Sequence, residues 1–250
     1  EKVVPYFGTV EKPECHMLYN VTTMATTWNS VATRDVRLLK LQMDIVSRLP
    51  KEYVFLNYLR CHDDIGWGLD YVWLMQFGIG EVSHKRYLND FLTGQYPGSF
   101  ARGELYNSDP TSGDARLCGT TASLCGIEKA AYEGDESALE QAVRLDLMLH
   151  AYMLTQSGIP VIYSGDEIGQ ENDYSYHKEA DRWGDSRYLH RGKFNWDLAE
   201  KRTEKGSVQE KLFTGIHHLE EIRRSHSVFD TNADVCVLDT RDDSVLVIAR

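Results

Sequence analysis

The sharpest chemical feature of the 250-residue sequence is the run His62-Asp63-Asp64, which closes an apolar stretch, Tyr53 to Arg60. Two adjacent carboxylates beside an imidazole are costly to hold unless a ligand or cation uses them, because like charges at short range raise each other's pKa. Successive residues leaving a strand point to opposite faces, so Asp63 and Asp64 diverge and can serve different parts of one site. A capped, solvated turn explains the three residues equally well in isolation. The apolar stretch before them, and Gly66 and Trp67 after them, favour a site, since aromatic side chains can stack on sugar rings.

Arginines form the second group of candidates. Arg116 lies among small residues in Asp114-Ala115-Arg116-Leu117-Cys118-Gly119-Thr120, where a guanidinium can donate two hydrogen bonds to a carboxylate or to sugar hydroxyls. The stretch Asp181-Arg182-Trp183-Gly184-Asp185-Ser186-Arg187 repeats an Asp-Arg pattern, and one of its arginines could pair with a buried acid. Taken singly, each of these pairs also reads as a surface ion pair of small energy. Gly165-Asp166-Glu167 could supply carboxylates or simply cap a loop.

Several chemistries lack their signatures. The nine histidines show no zinc spacing, so no metal is expected. No Gly-x-Gly-x-x-Gly and no P-loop occurs, and no cofactor is expected. A net charge of −11 argues against nucleic acid, whose binding needs clustered Lys and Arg. No stretch approaches the ~20 apolar residues of a membrane helix, and the first residues do not read as a signal peptide. Five cysteines, an odd number with no Cys-x-x-Cys pair, favour a reducing cytoplasm over a disulfide framework.

The elements that position these groups read as strands followed by helices. His16 to Val21 and Ile159 to Tyr163 are expected as short buried strands on either side of the strand Tyr53–Arg60. Helical spacing runs over Asn29–Leu49, stopped by Pro50, over Ser137–Gln156, ended by Gly158 and Pro160, and over Lys211–Ser225. Val235–Asp239 and Ser244–Ala249 are expected to pair around an Arg-Asp-Asp turn, and Trp67 to Glu136 reads as irregular. Such an order predicts an α/β fold with a parallel sheet, its polar clusters at the C-terminal strand ends. A closed barrel needs eight strands, far more than are found, which suggests a fragment or a chain whose other half lies elsewhere.

Tyr58-Leu59-Arg60-Cys61-His62-Asp63-Asp64-Ile65-Gly66-Trp67 resembles the block at the end of the seventh barrel strand of amylosucrases. Gly158 to Gly169 resembles the eighth-strand block of the wider α-amylase superfamily. Gly98–Gly103, Gly113–Gly126 and Asp185-Ser186-Arg187 through His190-Arg191 are similar to amylosucrase as well, in the same order.

The resemblance implies part of a (β/α)8 barrel, with a subdomain inserted after the seventh strand and the start of a C-terminal β-domain. The implied divisions are 1–67 for barrel strands six and seven, 68–136 for the insertion, 137–226 for the eighth strand and last helices, and 227–250 for the β-domain. It implies a parent enzyme that splits an α-glucosidic bond, sucrose being the expected donor, by retaining double displacement. The nucleophile and acid/base would lie in the absent N-terminal part of the barrel, leaving this chain inactive alone. Asp63 would stabilise the oxocarbenium-like glucosyl ring, His62 would hydrogen-bond the same ring, and Asp64 would line the adjoining position. Arg116 would contact acceptor glucose units, and Arg187 would pair with an acid on the floor of the glucosyl site that lies upstream. The glucosyl group would pass to α-glucan or water. Other readings are a superfamily hydrolase of starch, maltose or trehalose, or a non-catalytic carbohydrate-binding module.

Overall fold

The structure, a computed structural model, describes residues 3–9 and 11–250. Strand β1, Met17–Tyr19, leads into helix α1, Val21–Thr33, whose buried face carries Met24, Ala25, Trp28 and Ala32. Thr26, Thr27 and Thr33 turn their hydroxyls back onto carbonyls four residues earlier, which satisfies these polar groups inside the helix. Arg34 takes a left-handed conformation at φ 57° and ends α1; Asp35 then accepts the Arg37 backbone N–H at 2.9 Å as α2, Arg37–Ser47, begins. The single helix expected over Asn29–Leu49 is therefore two. A run of apolar residues hid the break, because the turn is made by backbone geometry rather than by Gly or Pro.

Strand β2, Val54–Asn57, follows, and then β3, Ile65–Gly66. The region read as irregular is well built. It contains α3, Tyr71–Gln76, and α4, Glu81–Leu92, then β4, Glu104–Tyr106, and β5, Arg116–Cys118, and then α5, Thr121–Cys125, and α6, Ile127–Glu133. Its strands have three residues each and α5 is buried all along, so in these elements neither the period of a strand nor that of a helix could show. Asp70 caps α3 through the Trp73 N–H at 3.2 Å, and Thr120 caps α5 through the Ser123 N–H at 3.2 Å.

Helix α7, Glu136–Thr155, starts at Asp135, whose carboxylate accepts the Ala138 N–H at 2.9 Å. Strand β6, Ile159–Pro160, helix α8, Trp196–Glu200, helix α9, Val208–Ser225, and the hairpin strands β7, Cys236–Leu238, and β8, Val247–Ala249, complete the chain. Arg223 of α9 donates to the carbonyls of Leu154, Gln156 (3.1 Å) and Gly158 (2.8 Å), answering the open carbonyls at the end of α7. The last turn of α7 and the loop leading to β6 are thereby held to α9 by one guanidinium.

Three small sheets result. β1, β2 and β6 are parallel in that spatial order, with Met17 opposite Val54 and Leu56 opposite Ile159. β3, β5 and β4 form an antiparallel sheet, and β7 pairs antiparallel with β8, Val237 opposite Ile248. β1 and β6, expected as buried, are not. Met17, Tyr19 and Ile159 are exposed, because each strand is an edge with a neighbour on one side only. The largest core cluster joins α1, the exit of β2 and the antiparallel sheet through Trp28, Leu59, Ile65, Trp67, Leu117 and Leu124. Trp28 Nε1 donates to the Leu59 carbonyl at 2.7 Å, and Trp67 Nε1 to Asn89 Oδ1 at 2.8 Å, so both indoles bury their rings with the N–H satisfied. All five cysteines are free thiols.

Candidate active site

β2 ends at Asn57, and the chain then turns through Arg60 to Asp64 before pairing again as β3. Arg60 is 2% exposed, lies 4.5 Å from the Tyr163 ring centre and donates to the Cys61 carbonyl, so it braces this turn from beneath. Burial depresses the Arg60 pKa, and the nearby charge of Asp166 counters it. Burial in turn pushes Asp166 up to about 6, with Arg60 opposing. Asp166 thus sits in the core beneath the turn and not in an open site. Glu167 accepts the Gly165 N–H at 2.8 Å, which makes it a cap of its own loop. The carboxylates of this segment are structural in their contacts.

β2 ends three residues earlier than the expected strand Tyr53–Arg60, so Asp63 and Asp64 lie in the bend before β3 and part ways there without strand alternation. The Asp63 side chain is 57% exposed, 3.4 Å from His62 Nε2 and 3.3 Å from an Arg191 guanidinium nitrogen. The Asp64 side chain is only 20% exposed and faces Arg116, whose Nε is 3.8 Å away. Burial raises the Asp64 pKa, while the positive charges of Arg116 and Arg187 pull it down. Arg116 also lies 3.8 Å from Asp114, so its guanidinium is shared between two acids without a close hydrogen bond to either.

Arg187 lies in the 3-10 turn Ser186–His190. Its guanidinium grips Asp185 with two hydrogen bonds, at 2.8 and 2.7 Å, and stands 5.1 Å from the Tyr106 ring centre. The acid expected from outside the chain is therefore not needed to pair Arg187. Asp185, two residues earlier, curls back as the cap of the same turn and also accepts the Arg187 backbone N–H at 3.0 Å. The Arg187 hydrogen bonds hold Asp185 below its usual carboxylate range.

The structure gathers His62, Asp63, Asp64, Arg116 and Arg187 on one side of the molecule, from the exit of β2, from β5 and from the 3-10 turn. Arg191, the residue sequence reasoning gave no role, completes the group by contacting Asp63. A basic residue close behind Arg187 was the only signal available for it. Behind these groups Asn172 stitches three segments together. It accepts the Thr120 N–H at 2.9 Å, donates to the Arg102 carbonyl at 2.6 Å, and its backbone N–H meets Ser123 Oγ at 3.0 Å. Ser123 and Tyr174 both donate to the buried Glu128, at 2.5 and 2.8 Å. Among the described residues no cluster of three or more His, Cys, Asp or Glu is placed to hold a metal ion. No helix among them is long and apolar enough to cross a membrane.

This arrangement offers one half-exposed carboxylate beside an imidazole, and one shielded carboxylate beside two guanidiniums. The first can accept hydroxyl hydrogen bonds and stabilise positive charge, and the second can orient a polar or anionic group next to it.

No family model matches the chain. It is 23% identical, over 248 residues, to the glucosylglycerate phosphorylase of Escherichia coli (strain K12), covering 99% of this chain and 41% of that protein. Among solved structures it is similar to sucrose 6F-phosphate phosphorylase from Thermoanaerobacter thermosaccharolyticum, with a TM-score of 0.62 and 16% identity, covering 93% of this chain and 40% of that one. The chain spans about two fifths of the length of each. The structural likeness shows a mixed α/β fold shared with part of a sugar phosphorylase, and the sequence likeness relates the chain to a second protein of that kind.

Proposed function

We propose that this chain forms the sugar-gripping part of a retaining α-glucosyl-transferring enzyme of the α-amylase superfamily. In this reading Asp63 stabilises the glucosyl ring as it gains positive character, and His62 hydrogen-bonds the same ring. Asp64 and Arg116 face the acceptor side, and Arg187 lies toward the floor of the glucosyl site. The observation that carries it is the pairing of half-exposed Asp63 with His62 at 3.4 Å and Arg191 at 3.3 Å, in the turn that joins β2 to β3. A carboxylate held there is oriented and open to a ligand. The similarity to two glucoside- or sucrose-phosphate-named phosphorylases supports the substrate class. The barrel reading belongs to the same proposal. β1, β2 and β6 are its strands six to eight, residues 68–136 its insertion, and 227–250 the start of a β-domain. The nucleophile and acid/base are supplied by sequence outside this chain.

Sucrose is the donor proposed first, with glucan or water as acceptor. A second reading, phosphorolysis, is favoured by one feature. Arg116 is half-exposed, with ion pairs no closer than 3.8 Å, and so is free to turn toward an incoming anion. The deciding experiment supplies the full-length protein with sucrose, maltose or glucosylglycerate, each with water alone, with glucan and with inorganic phosphate. Appearance of polymer or glucose supports transfer or hydrolysis, and glucose 1-phosphate supports phosphorolysis. No cleavage of any of these donors would sink the proposal.

A further inference from the structure

The carbonyl oxygen of His62 is met by two consecutive residues from far along the chain. Arg191 Nε donates to it at 2.6 Å, and His190 Nε2 lies 3.1 Å from the same oxygen. On the other side of the His190 ring, Nδ1 lies 3.2 Å from the backbone nitrogen of Gly119, the residue directly after β5. A backbone N–H can only donate and a carbonyl can only accept. The ring therefore carries its proton on Nε2 and leaves Nδ1 bare, since any other state sets two donors or two acceptors face to face. His190 is 4% exposed. Burial first, and the positive charges of Arg60 and Arg191 with it, push its pKa down to about 3, against the smaller pull of Asp185 and of the bond to His62. The imidazole stays neutral and in one tautomer across the neutral range.

We propose that His190 is a positioning residue that locks the strand exit carrying His62 and Asp63 to the strand carrying Arg116, so that one imidazole sets the register between the sugar-gripping and acceptor sides. This rests on the reading of those residues given above. The bond to His62 orients the peptide from which both the imidazole and the Asp63 carboxylate project. The bond from Gly119 holds the end of β5, three residues beyond Arg116. Arg191 cannot replace this link, because its side-chain hydrogen bonds among the described residues go to His62 and Asp63 and not to β5.

Three variants of the full-length protein separate the two bonds. His190→Phe keeps the ring and removes both; His190→Gln can place an amide N–H near the Nε2 position; His190→Asn can place an amide oxygen near Nδ1. Losing two ordinary buried hydrogen bonds predicts a fall in kcat of about ten- to a hundredfold for His190→Phe, with KM for the donor changing far less. His190→Gln is expected to recover most of kcat, and His190→Asn to recover the acceptor preference but not kcat. Nitrogen-15 NMR of the His190 ring gives a readout that does not depend on activity. The expected signal is an Nε2–H tautomer that does not titrate between pH 5 and 8. A titrating ring or an Nδ1–H tautomer overturns the lock even where a variant fails to fold. So does His190→Phe with kcat and acceptor preference within twofold of the parent. If Asp63→Asn keeps normal turnover, the functional reading beneath this inference fails, whereas a dead Asp63→Asn with an unaffected His190→Phe overturns the inference alone.

Discussion

Gly66 and Arg116 stand opposite each other in the antiparallel pair of β3 and β5, and the Arg116 guanidinium occupies the space where a side chain on residue 66 would be. A Cβ at Gly66 would come within 2.5 Å of Arg116 Nη1 and 3.2 Å of its Cζ. The backbone of β3 is ordinary here, so the glycine is required by this close approach and not by a positive φ. A residue three positions after Asp63 thereby decides where the acceptor-side arginine lies.

Gly66→Ala is expected to displace the Arg116 guanidinium while leaving the fold intact, because the atom in the way is the far end of a flexible side chain. Turnover of the donor should stay within a few fold, and the distribution of products among acceptors should change. Arg116→Ala should reproduce that change. Product profiles of the two single variants and the double variant provide the check. If Gly66→Ala shifts products further in the absence of Arg116, the glycine acts by some other route.

Asp63→Asn keeps the shape of the side chain and removes its charge. In the full-length enzyme the loss of a preorganised group facing developing positive charge lowers kcat on the order of 10²–10³-fold. Stability should change little, since the carboxylate is 57% exposed and its ion pairs are of the weak, solvated kind. Donor consumption together with thermal melting tests both parts. A variant that melts early and loses activity in proportion would mark Asp63 as a structural residue.

What could be read from sequence follows the length over which a pattern repeats. Helix α7 extends over 20 residues, and its apolar period located it within one residue at each end. The strand after it has two residues, and a pattern cannot repeat in that span. The site was legible where neighbours in sequence are neighbours in space, as with His62, Asp63 and Asp64. It was not legible where contacts are remote. His190 meets residues 71 and 128 positions away, and no spacing rule links them. Arg187 shows a local contact of the same legible kind, since it pairs with Asp185 two residues earlier.

Beneath the site, α7 buries an Asp–His pair. His150 Nδ1 lies 2.9 Å from an Asp146 carboxylate oxygen, with both side chains almost wholly inaccessible. Burial alone would lower the His150 pKa, but the Asp146 hydrogen bond and charge outweigh it and push it up to about 9. A pKa raised on folding means that the stabilisation is fully present below the unfolded value, ~6.5, and is lost as pH rises through about 9. Unfolding free energy should therefore fall between pH 7 and 9 by on the order of 2 kcal/mol. The buried Cys118 thiol, pushed up to about 12, adds its own loss only at higher pH. Denaturant melts across this window should show the slope, and the neutral pair Asp146→Asn with His150→Gln should flatten it. An unchanged slope in the double variant would assign the effect to other groups.

Asp185 decides how much of the Arg187 charge the site can use. Its carboxylate takes both forks of the guanidinium and is held below the usual range by doing so, so at neutral pH the pair is fully ionised and nearly cancels. Asp64, the shielded acid on the same side, is raised by its burial and looks to Arg116 and Arg187 for compensation. Asp185→Asn retains an oxygen that can still cap the 3-10 turn through the Arg187 N–H, but it leaves the guanidinium with a charge to place. That charge has two destinations, Asp64 or an anionic acceptor. If phosphate is an acceptor, the variant should use it at a lower concentration than the parent, with KM for phosphate falling several-fold while the glucan acceptor is used no better. If the acceptor is a sugar or water, the released arginine should move onto Asp64 instead, and added phosphate should leave the rate of donor cleavage unchanged. Measuring donor cleavage against phosphate concentration in parent and variant distinguishes these outcomes. A variant that gains nothing from phosphate removes the electrostatic support for phosphorolysis and leaves transfer to sugar or water as the reading the site carries.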